Sequence, residues 1–137
     1  MSLEHWGPTG DAWNVSVYSS CGTPTRVVLQ VATGTYRSDA RVDFLLAQAL
    51  SGISQHLPGA EILLVPVNGG PDGNLCYLGD SVVYSSAIYQ QMVDAIVRSG
   101  VSAPLDEFTV GDCNHYSDLK GHVTQAGARY LAESFDV

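Results

Sequence analysis

The sequence predicts an α/β protein with a three-layer α/β/α fold and a small, mainly parallel sheet of about four strands. Two observations lead to this prediction. Short apolar runs alternate with segments of helical periodicity, and glycine or proline marks the change from one to the next. Such alternation is typical of right-handed parallel crossovers, which place helices on the faces of a sheet. A chain of 137 residues is long enough for one hydrophobic core, so residues 1–137 are expected to form a single domain.

The N-terminal part of the chain is expected to hold an irregular arm followed by two strands. Residues 1–12 form the arm, because glycine and proline interrupt any regular element there. From Trp13 to Val17, apolar and polar residues alternate, which predicts a half-buried strand. The nearly continuous apolar run from Val27 to Val31 predicts a second strand, covered on both faces.

The rest of the chain alternates between helices and strands. A long helix is predicted with Asp39 as its N-cap and an end before Pro58, and a buried strand follows at residues 62–65. Residues 68–81 hold four glycines and a proline, so they are expected to form a long loop. A second helix that ends at Gly100, a third strand around residues 108–110 and a last helix at residues 124–134 complete the pattern. The apolar stripe of the first helix repeats at three- and four-residue spacing: Val42, Leu45, Leu46, Ala49, Leu50 and Ile53.

Three predicted loops leave the carboxyl ends of these strands, at residues 33–38, 68–81 and 111–123. Parallel sheets with helices on their faces bind their ligands at these ends. We therefore expect any functional site to lie among these three loops.

The chain is acidic, with a net charge of −8 and only six basic residues, which are scattered. Nucleic acid and anionic membrane surfaces both require clustered lysine and arginine, so neither is an expected partner. No apolar run approaches the roughly 20 residues of a membrane span, and no signal peptide is visible. The expected partners are small neutral molecules or other proteins, and both a secreted and a cytoplasmic location of a soluble chain remain open.

Three segments of the sequence resemble the SGNH (GDSL-type) hydrolases. Arg26–Gly34 (RVVLQVATG) is similar to the strand that leads into their Gly-x-Asn-Asp loop, and His56–Val67 (HLPGAEILLVPV) to their next helix end and strand. Ser117–Phe135 (SDLKGHVTQAGARYLAESF) resembles their closing block, where an aspartate precedes a histidine and a helix follows. The resemblance implies a flavodoxin-like, SGNH-like fold truncated at its N-terminus, because the family's first strand and nucleophile motif have no counterpart before Arg26.

The resemblance implies roles for two residues of the closing block. His122 would act as the general base toward a hydroxyl, and Asp118 would fix its tautomer. Asp118 lies one residue farther from His122 than in the family's Asp-x-x-His spacing. Gly34 and Arg37 stand where the family has its Gly-x-Asn-Asp loop, so they are the expected oxyanion and substrate-binding groups.

The nucleophile suggested by the resemblance is Ser81, in the triplet Gly79-Asp80-Ser81. This triplet matches the family's Gly-Asp-Ser motif, but it follows the second buried strand rather than the first. A role in capping the next helix is the structural alternative for this serine. Ser19 and Ser20, at the end of the first predicted strand, are further candidates.

The cysteines and histidines leave further alternatives open. The three cysteines form no Cys-x-x-Cys pair, so they allow either one disulfide with a free thiol or three thiols. A disulfide between Cys76 and Cys113 would clamp the long loop over the site, whereas Cys113 paired with a nearby histidine would be a thiol nucleophile. No metal and no cofactor is expected, because the possible ligands of one loop lack the paired spacing of zinc sites: Asp112, Cys113, His115, Asp118 and His122.

Two functions remain open. The first is hydrolysis of small esters, such as acetyl groups on carbohydrate, with His122, Asp118 and Ser81 as the catalytic residues. The second is that of a non-catalytic, truncated SGNH-like domain that serves binding or assembly. Under both, an exposed sheet edge predicts a homodimer that covers it. A serine hydroxyl within hydrogen-bond reach of His122 would favour the enzyme.

Overall fold

The computed structural model describes residues 2–14, 22–33, 36–101 and 108–134. Within these residues the chain combines three α-helices with two small sheets of two strands each, which confirms a mixed helix and strand structure. The chain divides into two compact units. The first unit comprises residues 1–65 and 94–103, and the second comprises residues 66–93 and 104–137.

The helices and strands are numbered here in chain order. The strands are β1 (Arg26–Val31), β2 (Glu61–Pro66), β3 (Tyr77–Leu78) and β4 (Ser81–Val82). The α-helices are α1 (Asp39–His56), α2 (Tyr84–Ser99) and α3 (Gln125–Ser134). Single turns of 3-10 helix occur at Leu3–Trp6, Asp11–Asn14, Pro71–Gly73 and Cys113–His115. Within the described residues, no helix is both long and apolar enough to span a bilayer.

Helix α1 follows its sequence prediction closely, with one correction at its start. The N-cap is Ser38 rather than Asp39, because the Ser38 hydroxyl accepts a hydrogen bond from the Arg41 N–H at 3.3 Å. The helix ends at His56, before Pro58, as predicted. Its apolar stripe faces the core of the first unit, and these members of it are buried: Val42, Leu45, Leu46, Ala49 and Ile53.

The N-terminal segment is more regular than the irregular arm that the sequence predicts. It contains two turns of 3-10 helix, and the second includes Trp13 and Asn14. The predicted strand is therefore wrong at these two positions, and the rest of it lies outside the described residues. The Trp13 ring stacks on His56 with ring centroids 4.4 Å apart, and its Nε1–H donates to the Gly7 carbonyl at 2.8 Å. These contacts fix Trp13 in a turn.

Strand β1 pairs with β2, but the prediction that both of its faces are covered is wrong. Leu29 and Val31 are buried, whereas Val28 is 41% exposed and Gln30 is also exposed. The strand therefore buries one face only. The apolar run in the sequence does not distinguish the buried face from the exposed face, since Val28 is apolar and yet lies on the exposed face.

Gly52 marks the closest approach between α1 and the N-terminal segment. A Cβ at this position would lie 2.0 Å from the Trp6 carbonyl oxygen and 2.8 Å from the Gly7 carbonyl carbon. Because both of these atoms belong to backbone, neither can rotate away. Alanine is the better helix former by about 1 kcal/mol, but a contact this short to backbone falls in the upper part of the usual cost of overpacking, about 2–3 kcal/mol.

We therefore expect Gly52→Ala to lower the free energy of unfolding by about 1–2 kcal/mol and to alter tryptophan fluorescence, since Trp6 and Trp13 pack together in this segment. Urea unfolding followed by fluorescence would measure both effects. Ser54→Ala is the matched control, because Ser54 is exposed on the same helix. Equal stability of the Gly52→Ala variant and the parent would contradict the tight contact.

In the second unit, the predicted long loop contains regular structure. Strands β3 and β4 form an antiparallel hairpin, with Tyr77 opposite Val82 and Leu78 opposite Ser81. The predicted third strand is present only as a parallel bridge between Gly69 and Thr109. A small core lies beneath the hairpin: Cys76, Val83, Val110 and Tyr116.

Candidate functional site

The loop of residues 117–123 in the second unit carries two of the predicted site residues, Asp118 and His122. An antiparallel bridge between Tyr116 and Val123 closes the loop at its base. The backbone N–H and the hydroxyl of Ser117 both donate to the His122 carbonyl, at 2.7 and 2.9 Å. The ends of the loop are thus held together, and α3 begins directly after it, with the Gly127 N–H donating to the Thr124 hydroxyl at 3.1 Å. We call residues 117–123 the histidine loop.

The structure brings Asp118 and His122 into direct contact. The Nδ1 atom of His122 lies 2.5 Å from Oδ2 of Asp118. The other carboxylate oxygen, Oδ1, accepts the backbone N–H groups of Lys120 at 2.9 Å and of His122 at 3.2 Å. Three donors therefore converge on one carboxylate, which fixes its position relative to the imidazole ring.

The charge state of Asp118 determines the tautomer of His122. The hydrogen bond from the His122 side chain, assisted by the two backbone N–H donors, holds the pKa of Asp118 below its ordinary value. An ionised carboxylate can only accept, so in the neutral ring Nδ1 carries the proton and Nε2 is a free acceptor. The His122 side chain is 73% exposed, and within the described residues no group bonds to Nε2. A histidine in this state can accept a proton from a bound molecule.

A second histidine–aspartate pair has the same short distance but, among the described contacts, lacks the backbone hydrogen bonds of the first. In the first unit, Nδ1 of His5 lies 2.5 Å from Oδ1 of Asp11, and both side chains are exposed. Within the part of the chain that the structure describes, no backbone N–H bonds to the Asp11 carboxylate. Asp118 differs because two backbone amides hold it in place. The preorganised carboxylate, rather than the short distance, distinguishes the histidine loop.

Ser81 lies in a different structural setting from the nucleophile of the family motif. Gly79 and Asp80 form the turn of the hairpin, with Gly79 at a φ of +64°, and Ser81 is an exposed residue of β4. In the family the Gly-Asp-Ser motif follows the first strand of the sheet, whereas Ser81 lies in the second strand of a short antiparallel hairpin. Among the described contacts, none joins Ser81 to His122. Nor does Ser81 cap α2, which begins at Tyr84 and receives its first contact from the histidine loop: the Tyr84 N–H donates to the Leu119 carbonyl at 2.8 Å.

The other predicted site residues are not brought to the histidine loop by any described contact. Arg37 lies in the first unit, where its guanidinium donates to the Glu4 carboxylate at 2.8 Å. This pairing holds the pKa of Glu4 below its ordinary value. Gly34, Ser19 and Ser20 lie outside the described residues.

The disulfide between Cys76 and Cys113 is formed, and it joins positions 37 residues apart. It connects the base of the β3–β4 hairpin to the 3-10 turn that precedes the histidine loop. A bonded sulfur cannot act as a thiolate, so the alternative of a Cys113 nucleophile with His115 or His122 is wrong for this state of the chain. Of the alternatives that the sequence leaves open for the cysteines, the structure shows the Cys76–Cys113 disulfide.

The structure describes no group of three or more histidine, cysteine and acidic side chains, within its described ranges, that could hold a metal ion. His115 instead packs against Tyr130, with ring centroids 5.5 Å apart. Gly127 of α3 touches the same residue: a Cβ there would lie 2.7 Å from the His115 carbonyl oxygen. His115 thus serves as a packing partner of α3.

The sequence does not predict the two linked, buried hydrogen bonds that lie beneath the histidine loop. The Ser86 hydroxyl donates to the Tyr116 hydroxyl at 3.3 Å, which in turn donates to the Asn68 carbonyl at 2.7 Å. Both side chains are almost fully buried. Tyrosine and serine near a loop are common residues, and neither shows in its sequence context that it will be buried. These two hydrogen bonds fix the side chain of Tyr116, the residue directly before the histidine loop.

The buried Tyr116 predicts a loss of stability at alkaline pH. Burial raises the pKa of Tyr116 above its ordinary value of 10.0, although the hydrogen bond from Ser86 acts in the opposite direction. A raised folded-state pKa contributes stability that is present below pH 10 and is lost as the pH rises through the folded value. Tyr116→Phe should remove this dependence and cost about 1–3 kcal/mol at neutral pH, because the buried hydrogen bonds of the Tyr116 hydroxyl with Ser86 and with the Asn68 carbonyl are lost.

Urea unfolding of the parent and of Tyr116→Phe between pH 8 and pH 11.5 would measure this. Tyr77→Phe is the control, since Tyr77 is exposed and should follow the parent. An unfolding curve of Tyr116→Phe that weakens with pH as steeply as the parent's would show that Tyr116 is not the group responsible.

The geometry therefore gives one oriented pair, Asp118 and His122, on a loop fixed at both ends, with the hairpin that carries Ser81 tied to the same unit by a disulfide. A histidine with a free Nε2 acceptor and a fixed carboxylate can transfer protons, and by itself it specifies no substrate. Comparison of the chain with protein family models, with curated proteins and with solved structures finds no match.

Proposed function

We propose that this chain is an SGNH-like domain that hydrolyses small esters, such as acetyl groups on carbohydrate, with Asp118 and His122 as its proton-transfer pair. The proposal includes the three-layer, flavodoxin-like fold that the sequence resemblance implies. One observation carries it: the Asp118 carboxylate accepts two backbone N–H groups and the His122 ring, which leaves Nε2 open to solvent. This is the arrangement that a general base requires.

In the proposed reaction, His122 Nε2 removes the proton of a serine hydroxyl while the oxygen attacks the acyl carbon of the ester. The alcohol leaves with the proton that His122 returns to it, and an acylated serine remains. Water then repeats the same two steps and releases the acid. Asp118 remains ionised throughout and stabilises the charged imidazole.

Ser81 is the proposed nucleophile. Its hydroxyl is exposed and bonds to no described residue, so it can meet a substrate. It precedes Tyr84 by three residues, and the Tyr84 N–H is bonded to the Leu119 carbonyl within the histidine loop. The base of the hairpin is therefore held beside the loop, and the proposed reaction requires the Ser81 hydroxyl to come within hydrogen-bond reach of His122 Nε2.

Hydrolysis of a short-chain aryl acetate by the purified chain tests the proposal. We expect turnover above buffer by the parent, and its loss in both His122→Ala and Ser81→Ala. His5→Ala is the matched control, because His5 makes an equally short contact with an aspartate and should leave the rate unchanged. Loss in His122→Ala alone would move the nucleophile to Ser19 or Ser20. No turnover by the parent would refute the esterase proposal.

A second candidate function is that of a non-catalytic domain for binding or assembly, and two observations favour it. Within the described residues, no serine hydroxyl bonds to the His122 ring. In addition, two large apolar side chains of the hairpin, Tyr77 and Val82, are exposed, as is Leu75 just before it. In this function the chain forms a homodimer, which sedimentation equilibrium of the parent would detect. A monomer at all concentrations tested would contradict the homodimer, which is expected under both functions, whereas ester turnover by the parent would exclude the non-catalytic function.

A further inference from the structure

The N-terminal turn of α2 binds the backbone of the histidine loop. The Tyr84 N–H donates to the Leu119 carbonyl at 2.8 Å, and the Ser85 hydroxyl donates to the Lys120 carbonyl at 3.3 Å. Both acceptors lie between Asp118 and His122 in the sequence. The helix therefore binds the backbone of the segment that separates the two members of the pair.

Gly121 is the point at which the loop and the helix come closest. It adopts a φ of +88°, a conformation that favours glycine. A Cβ at this position would lie 1.7 Å from the Ser85 hydroxyl oxygen and 2.4 Å from the Ser85 Cβ. Ser85 is only 4% exposed and belongs to a helix, so its Cβ cannot withdraw. The backbone can pass over Ser85 only because residue 121 has no side chain.

We propose that Ser85 and Gly121 are positioning residues that set the geometry of the Asp118–His122 pair. The meaning of this inference for catalysis rests on the proposed function, whereas the geometry itself does not. Neither residue touches Asp118 or the His122 ring through its side chain. They act through the backbone: the contact between Gly121 and Ser85 fixes the position of the His122 backbone.

The hydrogen bonds of Asp118 explain why a small shift at residue 121 matters. Two of the three donors to the carboxylate, the backbone N–H and the ring Nδ1, belong to His122, the next residue along the chain. The Gly121 N–H also donates to the Asp118 carbonyl at 3.4 Å. A displacement of Gly121 away from Ser85 would therefore move both His122 donors together. The ring would lose its fixed partner, and the Nδ1–H tautomer would lose its advantage.

Gly121→Ala is the direct test, and Gly59→Ala is its matched control. Gly59 has a similar φ of +82°, but a Cβ there would meet nothing within 4 Å. Both variants place alanine at a positive φ, and only Gly121→Ala adds the clash with Ser85. The measurement is the pair of ring nitrogen shifts of His122 in ¹⁵N NMR at neutral pH, which reports the tautomer. We expect the parent and Gly59→Ala to show protonated Nδ1, and Gly121→Ala to show a shift toward protonated Nε2.

A size exchange makes the test specific. Ser85→Gly removes the two atoms that a Cβ at residue 121 would strike, and leaves Ser85 Cα at 3.5 Å. Gly121→Ala combined with Ser85→Gly should therefore keep only the effect of the lost Ser85 hydroxyl, so its ring shifts should match those of Ser85→Gly alone and not those of Gly121→Ala. If Gly121→Ala alone does not fold, Ser85→Ala provides the measurement, since it removes the hydroxyl that holds the Lys120 carbonyl and should shift the tautomer in the same direction.

Ring shifts of Gly121→Ala, or of Ser85→Ala, that match those of the parent would overturn the inference. Kinetics separate this result from a failure of the proposed function. In an active parent, misplacement of the pair should lower kcat for aryl acetate about 10²-fold with KM little changed. An inactive parent whose tautomer still depends on Gly121 would refute the esterase and keep the positioning role. An active parent with unchanged shifts and kcat in Gly121→Ala would do the reverse.

Discussion

Under the proposed esterase function, Asp118→Asn is expected to lower kcat for aryl acetate by about 10³–10⁴-fold while the chain remains folded. The amide places an NH₂ group, or an oxygen without charge, beside Nδ1 of His122. A donor at this place favours the tautomer with the proton on Nε2, which cannot accept the proton of a nucleophile. The measurement is kcat, together with near-ultraviolet circular dichroism to confirm the fold.

Asp11→Asn is the control for this variant, because Asp11 is the exposed partner of His5. It should leave kcat unchanged. A comparable loss in both variants would point to a general effect of charge, and an Asp118→Asn variant as active as the parent would remove Asp118 from the mechanism.

The lowered pKa of Asp118 adds a pH dependence to this expectation. Its folded-state value lies below the ordinary 3.8 because of the His122 side chain and two backbone donors. Any stability from this group is therefore present above pH 3.8 and is lost as the pH falls through the lower folded value. Asp118→Asn should remove that part of the acid response of the parent, which acid titration of the fold by circular dichroism would measure.

The second large effect is expected from the disulfide. Replacing Cys76 and Cys113 together by serine should lower the free energy of unfolding by about 4 kcal/mol, since the bond closes a loop between positions 37 residues apart. The cross-link restricts the unfolded chain, and it holds the hairpin to the turn before the histidine loop. Urea unfolding of the oxidised parent and of the double variant gives the difference directly.

Cys21→Ser is the matched control, because it removes a cysteine and leaves the disulfide in place. It should be affected far less than the double variant. A double variant within about 1 kcal/mol of the parent would show that the loop is already restricted in the unfolded chain, as happens where residual structure persists.

The sequence predicts well what local patterns determine. The apolar stripe of α1 runs from Val42 to Ile53, about three turns of helix, and a stripe of that length leaves little ambiguity about the buried face. Its start is less certain by one residue, because Ser38 and Asp39 are both good N-caps and only the hydroxyl contact with Arg41 distinguishes them. Asp118 and His122 are also predictable as neighbours, since four residues in a tight loop keep both ends close.

Contacts between distant segments are what the sequence does not reveal. The β3–β4 hairpin has strands of two residues, too short for any alternation to appear. The Gly-Asp-Ser triplet matches a catalytic motif, although here its glycine and aspartate form the hairpin turn. The alternation of apolar and polar residues predicts a strand at Trp13, whereas in the structure Trp13 lies in a 3-10 turn and stacks on His56, 43 positions later in the sequence. The close contact between Gly121 and Ser85 likewise joins two residues that are far apart in the sequence.

The position of Lys120 has a practical consequence. It is the only lysine of the sequence, and it lies exposed within the histidine loop, between Asp118 and His122. A protease that cuts only after lysine can therefore cleave this chain at one peptide bond, Lys120–Gly121. Cleavage at that bond requires the hydrogen bonds between the loop and the first turn of α2 to open. The rate of this single cut under native conditions therefore reports how often the loop opens.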